Sequence, residues 1–326
     1  MRSGGTAQIA GMRETVAHFM RVLLGVAIPL AAFTTGLVAP KAAVAEPLWK
    51  QPGLLLRSLL VIFVLVPLWA FVLLKLVPLP PFVRQGVMIA ILAVGIGPAA
   101  TMKRMKGATP AVRFAFELNV AVLLLSIVLV PADVAGIGVL THKQFHLDVA
   151  AVAKVVFGRA LLPLALGVAT ARFLPRLAEP LGRYLPKIEN VVFLLVIAVA
   201  LAATWRNLLG VGAAGWLVCA VTALGALVVG HLLGGPEDGT RAGLATASTM
   251  RFPALALLLA SSVAANDKRL VAVVLVYVLS ALVVVGVYGA LMARRAKRRG
   301  GAEAAPPPTP ITSAVRPRAP APSTSG

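Results

Sequence analysis

Residues 96–110, IGPAATMKRMKGATP, interrupt one of the most hydrophobic stretches of this chain with a cluster of cations. A second stretch, ASTMRFPALAL at 247–257, repeats the pattern, because Thr-Met-Lys at 101–103 becomes Thr-Met-Arg at 249–251. Each interruption combines a proline with at least one cation inside an apolar segment. The organisation of the whole chain follows from these two related interruptions.

The composition is that of a membrane protein. Of the 326 residues, 59% are hydrophobic and 13% charged, and the mean hydropathy is +0.92, whereas soluble domains are about half apolar and about a quarter charged. Repeated apolar runs of about 18 or more residues match a bilayer core about 30 Å thick. Lipid cannot satisfy bare backbone groups, and the alternation of a barrel strand is absent, so the sequence predicts an all-α polytopic membrane protein.

Nine apolar segments stand out, and they predict about nine transmembrane helices. They lie at roughly 18–38, 53–77, 84–101, 109–131, 149–173, 188–204, 211–234, 240–263 and 269–293. Residues 1–17 form an N-terminal segment, and 18–293 form the transmembrane domain. Residues 294–326 begin with RRAKRR and continue as a Pro/Ala/Ser-rich stretch, which predicts a disordered tail.

The charge distribution predicts the orientation. The net charge is +20, from 31 Lys+Arg against 11 Asp+Glu, but the basic residues lie mostly between apolar runs and in the tail. That placement is typical of the positive-inside rule and of anionic lipid headgroups, so lipid and not nucleic acid is the expected partner. We expect a multi-pass protein of the plasma or inner membrane, with its N-terminus outside and its C-terminus cytoplasmic.

The start of the chain allows one alternative. The apolar run at 22–38 and AVAEP at 43–47 resemble a signal peptide with its cleavage site. We favour a retained first span, because the run is long for a signal and its removal would spoil the internal symmetry.

That symmetry comes from the two Thr-Met-cation triplets, which fall in the third and eighth segments. Repeat one would be 18–131, repeat two 188–293, and 149–173 a connecting helix. Equivalent halves separated by an odd number of segments insert upside down relative to each other. The prediction is therefore an inverted 4+4 repeat with two crossing discontinuous helices, as in secondary transporters that bind substrate near the midplane.

Two stretches carry a resemblance to a known family. FTTGLVAPKAAVAEPLWKQPG, beginning at Phe33, and HLLGGPEDGTRAGLATASTMRFPALALLLASS, beginning at His231, resemble the bile acid:sodium symporter family. The resemblance extends over about residues 20–293. It implies a panel domain, a core domain in which two discontinuous helices cross near sodium sites, and an organic anion bound in the cleft beside those helices.

The first crossover departs from the family pattern. Members that use two sodium ions have a Pro-Gly-Gly-Thr-Ser-Ser-Asn-like stretch. Here residues 98–101 fit its start, but Met102, Lys103 and Arg104 stand where the Ser-Ser-Asn ligands would be.

The second crossover departs as well. The family has Glu-x-x-Met-Gln, and alignment of Met250 places Ala247 at the glutamate and Arg251 at the glutamine. Two further hydroxyl ligands in the span after the first crossover would correspond to Asn119 and Leu123. Sodium, like other hard cations, requires several oxygen ligands, so these replacements argue against the usual two-sodium site.

Arg251 is the strongest candidate for a substrate-binding residue. It lies about ten residues into the eighth segment, where a charge costs about 2.5–3.5 kcal/mol on insertion scales unless it is paired or hydrated. Pro253 favours a helix break there, and Ser248 and Thr249 are placed to cap the freed groups. A structural ion pair is the alternative role for Arg251.

The first interruption offers weaker candidates. Lys103 either lines the crossover, where broken helices expose positively polarised N-termini, or belongs to a cytoplasmic loop with Arg104 and Lys106. Pro98 is the predicted helix break. The hydroxyl of Thr101, like that of Ser248, either donates to an anion or bonds to the preceding helical turn.

Glu117 and Asn119 are the polar residues of the fourth segment. Glu117 is four residues after Arg113, so it either forms a local ion pair or titrates as a proton-coupling group. Asn119 cannot share a helix face with Glu117, and we expect only one of them to face the crossing. The family position favours Asn119.

The sequence therefore predicts a secondary transporter of a small organic anion, with protein cations in place of the sodium ions of relatives. Coupling to a proton or to a counter-anion remains open, and so does sodium coupling through a rearranged site. A membrane-embedded enzyme or sensor scaffold is the alternative from another class. No Walker A loop, dinucleotide fingerprint or His-Glu-x-x-His motif is present, so we expect neither an enzyme nor a bound cofactor or metal.

Overall fold

The computed structural model describes residues 3–38, 52–93, 114, 116–125, 157–250, 256 and 268–303. In chain order, the helices are α1 Ser3–Leu37, α2 Pro52–Leu60, α3 Val66–Leu76, α4 Pro81–Leu92, α5 Phe116–Leu125, α6 Leu162–Phe173, α7 Pro175–Gly210, α8 Gly212–Leu233, α9 Asp238–Thr249 and α10 Lys268–Glu303. Each of the nine predicted segments overlaps with at least one of these helices.

The prediction of an all-α polytopic membrane protein is confirmed. Five of the helices in the described ranges are long and apolar enough to cross a bilayer: His18–Leu37, Pro52–Leu76, Pro175–Gly210, Gly212–Leu233 and Lys268–Arg295. Two apolar helices are shorter, Pro81–Leu92 and Phe116–Leu125. The count of nine spans and the inverted repeat stay predictions.

Two π-helical turns carry helices through prolines. One, Val61–Leu65, joins α2 to α3 just before Pro67, and the other, Phe157–Leu161, leads into α6 just before Pro163. Proline has no N–H and its ring clashes with the carbonyl four residues earlier, so a locally widened helix accommodates it. The segment Pro52–Leu76 is thereby a single 25-residue span.

Most of the extensive contacts between described helices fall within two groups. The first helix group is α1, α6 and α7. Its closest approach is between α1 and α6, where a Cβ on Gly36 would meet the Leu164 carbonyl oxygen and one on Gly167 would meet that of Phe33. The two glycines allow backbone to pack on backbone, as small residues do in membrane helix interfaces.

The second helix group is α2, α3, α4, α8 and α9. Gly230 of α8 and Gly234, the residue that follows α8, lie against α9, where added Cβ atoms would meet Ser248 Oγ and the Arg241 Cα. Gly225 of α8 similarly accommodates the indole ring of Trp69 from α3. Small residues therefore determine how closely α8 packs in the second group.

Apolar contacts join the two groups. The largest buried cluster contains residues of α1 and α7 together with residues of α3, α4, α8 and α10. A smaller cluster places Phe116 and Leu123 of α5 against Ala32 of α1 and Leu164 of α6. Among the described residues, the contacts that join the groups are thus largely apolar.

Candidate functional site

The two predicted crossover segments each contain a short helix that ends within the apolar stretch. Both α4 and α9 have 12 residues, which corresponds to about 18 Å at 1.5 Å per residue and is too short for a bilayer core of about 30 Å. Such half-length helices are typical of the discontinuous spans of secondary transporters.

The two helices also end alike. Ala93, after α4, has φ −72° and ψ 68°, and Met250, after α9, has φ −81° and ψ 84°. In each case the N–H donates to the carbonyl four residues earlier, Ile89 at 3.1 Å and Thr246 at 2.8 Å. The backbone then leaves the helical conformation.

The two Thr-Met-cation triplets lie at different distances from these helix ends. Thr249 is the last residue of α9, whereas Thr101 comes nine residues after Leu92, the last residue of α4 (101 − 92). Aligning the two segments by their helix ends pairs Leu92 with Thr249, whereas aligning them by the triplets pairs Thr101 with Thr249. The two alignments therefore differ by nine residues.

The turn that leads into α9 is held by its own polar groups. Gly235 has φ +88°, a left-handed conformation that glycine adopts without steric cost. Its carbonyl accepts a hydrogen bond from Arg241 Nε at 2.6 Å, and Thr240 Oγ1 donates to the Glu237 carbonyl at 3.0 Å. Asp238 in the first turn complements the positive end of the helix dipole.

Ser248 and Thr249 at the end of α9 are fully buried. Ser248 Oγ lies 2.8 Å from the Ala226 carbonyl of α8 and 3.0 Å from the Ala245 carbonyl. Thr249 Oγ1 donates to the Ala245 carbonyl at 2.8 Å. The Ser248 hydroxyl was predicted either to donate to an anion or to bond to the preceding helical turn. In the structure it lies within hydrogen-bonding distance of helix carbonyls.

Sequence reasoning missed Tyr277 of α10. Its hydroxyl donates to the carbonyl of Thr249 at 3.1 Å, at the end of α9, and its side chain is 1% exposed. A tyrosine in an apolar segment was the available signal, because a buried phenol usually needs a hydrogen-bond partner. Which carbonyl would accept that hydrogen bond depends on tertiary packing.

Glu117 and Asn119 on α5 are both buried, with 9% and 8% of their surfaces exposed. The expectation was that only one of them would face the crossing, and burial does not separate them. Asn119 lies three residues from Phe116 and four from Leu123, so it is on the side of α5 that packs against α1 and α6. Glu117 is on a different face.

Five predicted site residues lie outside the described residues: Arg251, Lys103, Thr101, Pro98 and Pro253. Arg251 follows Thr249, the last residue of α9, by two residues. What precedes it in the chain is therefore the C-terminus of a half-helix, where partial negative charge favours a cation.

Comparison with known families decides the class of protein. The chain matches the model of the Sodium Bile acid symporter family over residues 33–211, more than half of its length. The chain belongs to this family. No curated protein matches it individually. The predicted family is confirmed, and the match includes the first crossover segment but ends before α8 and α9.

As a member of the Sodium Bile acid symporter family, the chain is a multi-pass membrane protein of a secondary-transporter class. The features of the fold that bear on transport are the two helix groups and the two half-length helices, α4 and α9. Within the described residues, His, Cys, Asp and Glu do not form a group of three or more that could hold a metal ion.

Proposed function

We propose that this protein transports a small organic anion by alternating access, with the first helix group moving relative to the second. The pair of 12-residue helices, α4 and α9, carries the proposal, because half-length helices with matched ends are what a midplane binding site requires. The family match and the two helix groups support it.

We propose further that Arg251, assisted by Lys103, supplies the positive charge that sodium ions supply in relatives. Ala247, at the position of the family's glutamate, is partly buried against the main apolar cluster and offers no ligand oxygen. The negative end of α9 directly before Arg251 favours a fixed cation there. Transport would then be independent of sodium and coupled to a proton through Glu117 or to a counter-anion.

Sodium coupling through a rearranged site is the second candidate. It is favoured by Asn119, which is buried on the side of α5 facing α1 and α6 and has a side-chain oxygen for a cation. Thr101 and backbone carbonyls would complete such a site.

Uptake into proteoliposomes tests both versions. We expect labelled cholate, benzoate or pyruvate to accumulate without a sodium gradient, and Arg251→Gln to lower uptake by about 10- to 100-fold through loss of a charged hydrogen bond. Arg84→Gln, an exposed cation on α4, is the matched control and should leave uptake unchanged. Uptake that requires a sodium gradient and survives Arg251→Gln would support the rearranged sodium site instead.

The proposed orientation places the N-terminus outside and the tail in the cytoplasm. Arg172, Arg176, Arg183 and Lys187, at the junction of α6 and α7, are exposed and suit the anionic lipids of a cytoplasmic leaflet. A fluorescent protein fused after Gly326 should fluoresce in cells, and an active alkaline phosphatase fusion at the same site would reverse the orientation.

A further inference from the structure

Most hydroxyl side chains in the described helices donate to a backbone carbonyl, and two of them have no partner. Seven donate to the carbonyl four residues earlier in their own helix, at 2.6–2.8 Å: Ser58, Thr170, Thr204, Thr222, Thr246, Thr249 and Ser280. Thr34 and Thr35 of α1 are fully buried, and within the described part of the chain neither hydroxyl has a hydrogen-bond partner.

A buried hydroxyl without a partner needs an explanation. Burial removes its hydrogen bonds to water, and a native structure retains few such groups because each one destabilises the fold. Thr34 and Thr35 lie near the end of a helix in which carbonyls four residues earlier were available as acceptors. Two adjacent buried hydroxyls without a partner point to a role that requires free hydroxyls.

Thr34 and Thr35 lie on the side of α1 that contributes to the main apolar cluster. Thr35 is seven residues after Ile28, and Thr34 is seven after Ala27, both members of that cluster. Helical spacing therefore places both hydroxyls on the face that packs into the main cluster, where residues of both groups meet.

The neighbouring residues pack within the first helix group and against α5. Gly36, the next residue, touches the backbone of α6. Ala32, three residues before Thr35, packs against Phe116 and Leu123 of α5. The main cluster also contains residues of the second helix group, so motion of one group relative to the other would change the surroundings of this part of α1. On the side of α5 that packs against α1, the helix carries Asn119.

We propose that Thr34 and Thr35 form a hydrogen-bonding subsite for the oxygen atoms of the transported organic anion, closed in the conformation described here. The inference rests on the proposed function and deepens it. Two neutral donors orient an anion without adding charge, so the subsite would determine how the carboxylate lies while the charge is balanced elsewhere. An unsatisfied pair in the closed state also favours opening when an anion supplies the missing acceptors.

Replacement of each threonine by valine tests the subsite, because valine keeps the shape and removes the hydroxyl. Thr222→Val is the matched control, since Thr222 is equally buried but donates to the Val218 carbonyl at 2.7 Å. Without an anion, we expect Thr34→Val and Thr35→Val to raise Tm by roughly 2–4 °C and Thr222→Val not to raise it. For the anion among cholate, benzoate and pyruvate that the wild type transports, KM should rise about 3- to 10-fold in Thr34→Val and Thr35→Val only.

Each outcome decides a separate point. A Tm that falls in Thr34→Val and Thr35→Val would mean that their hydroxyls are bonded in solution, and the subsite would be overturned. A raised Tm with unchanged KM would also overturn the subsite, because the hydroxyls would then make no hydrogen bond to the transported anion. If the wild type neither transports nor is thermally stabilised by any of the three anions, the proposed function itself fails and the subsite fails with it.

Discussion

The half-length helices α4 and α9 have the same length and matching ends, yet they are stabilised by different interactions. The buried side of α4 consists of apolar side chains, among them Val83, Val87 and Ile91, all fully buried. In α9, hydroxyl hydrogen bonds from Ser248 and Thr249 and close backbone contact with Gly230 predominate. A similar backbone geometry can therefore be built by side-chain packing in one segment and by hydrogen bonds in the other.

This difference bears on what each helix can tolerate. Packing of apolar side chains is distributed over many contacts, whereas a hydrogen bond or a glycine contact depends on one pair of atoms. We expect α4 to be sensitive to loss of volume and α9 to be sensitive to gain of volume or loss of a single polar atom.

The largest effect is expected from Ile91→Ala in α4. The cavity left at a fully buried position should lower the free energy of unfolding by about 2–3 kcal/mol, at the low end for such changes because lipid or detergent already shields the unfolded chain from water. Denaturation in mixed micelles measures it. Leu217→Ala, a 65% exposed position on α8, should change stability little, and an equal loss there would contradict the packing argument.

Gly230→Ala should come next and act on α9. The added Cβ would lie 2.7 Å from the Ala245 Cα and 2.9 Å from the Leu244 carbonyl, backbone atoms that cannot rotate away. We expect a loss of about 2 kcal/mol from overpacking, measured in the same way. Gly25→Ala, where no atom lies within 4 Å, is the control and should be neutral or stabilising. A neutral Gly230→Ala would mean that α8 and α9 are not in contact in the membrane.

Ser248→Ala should have a smaller effect that is specific to the contact between α8 and α9. Loss of the hydrogen bond to Ala226 should cost about 1 kcal/mol. Ser58→Ala removes a bond to Leu54 within the same helix and serves as the comparison. The prediction is that a disulfide-forming or cross-linking probe detects greater separation of α8 and α9 only in Ser248→Ala, and equal behaviour of the two variants would refute it.

Tyr277→Phe should have the smallest effect, about 0.5–1 kcal/mol, because it removes the hydrogen bond to the last carbonyl of α9 and keeps the ring. The expected signature is faster amide hydrogen exchange in the last turn of α9. Tyr184→Phe, at a 58% exposed position on α7, should leave that exchange unchanged. Unaltered exchange in Tyr277→Phe would show that the contact does not stabilise the end of α9.

The candidate site was predictable only in part. Apolar length and proline placed the third and eighth segments as spans that break, and the helices that end at Leu92 and Thr249 agree with this expectation. The triplet match, however, aligned the two segments differently from their helix ends, because Thr249 ends α9 but Thr101 lies nine residues after the end of α4. A three-residue pattern contains too little information to determine where each helix stops.

The sequence by itself determined that this protein is helical and membrane-embedded, because a bilayer imposes apolar length and internal backbone hydrogen bonding on any chain that crosses it. It also determined the family, through residues 33–211. Only the tertiary structure decided that Ser248 bonds to α8, that Tyr277 donates to Thr249, and that the buried hydroxyls of Thr34 and Thr35 have no partner. Hydrogen bonds between helices depend on which faces meet, and short-range patterns along one segment do not determine that.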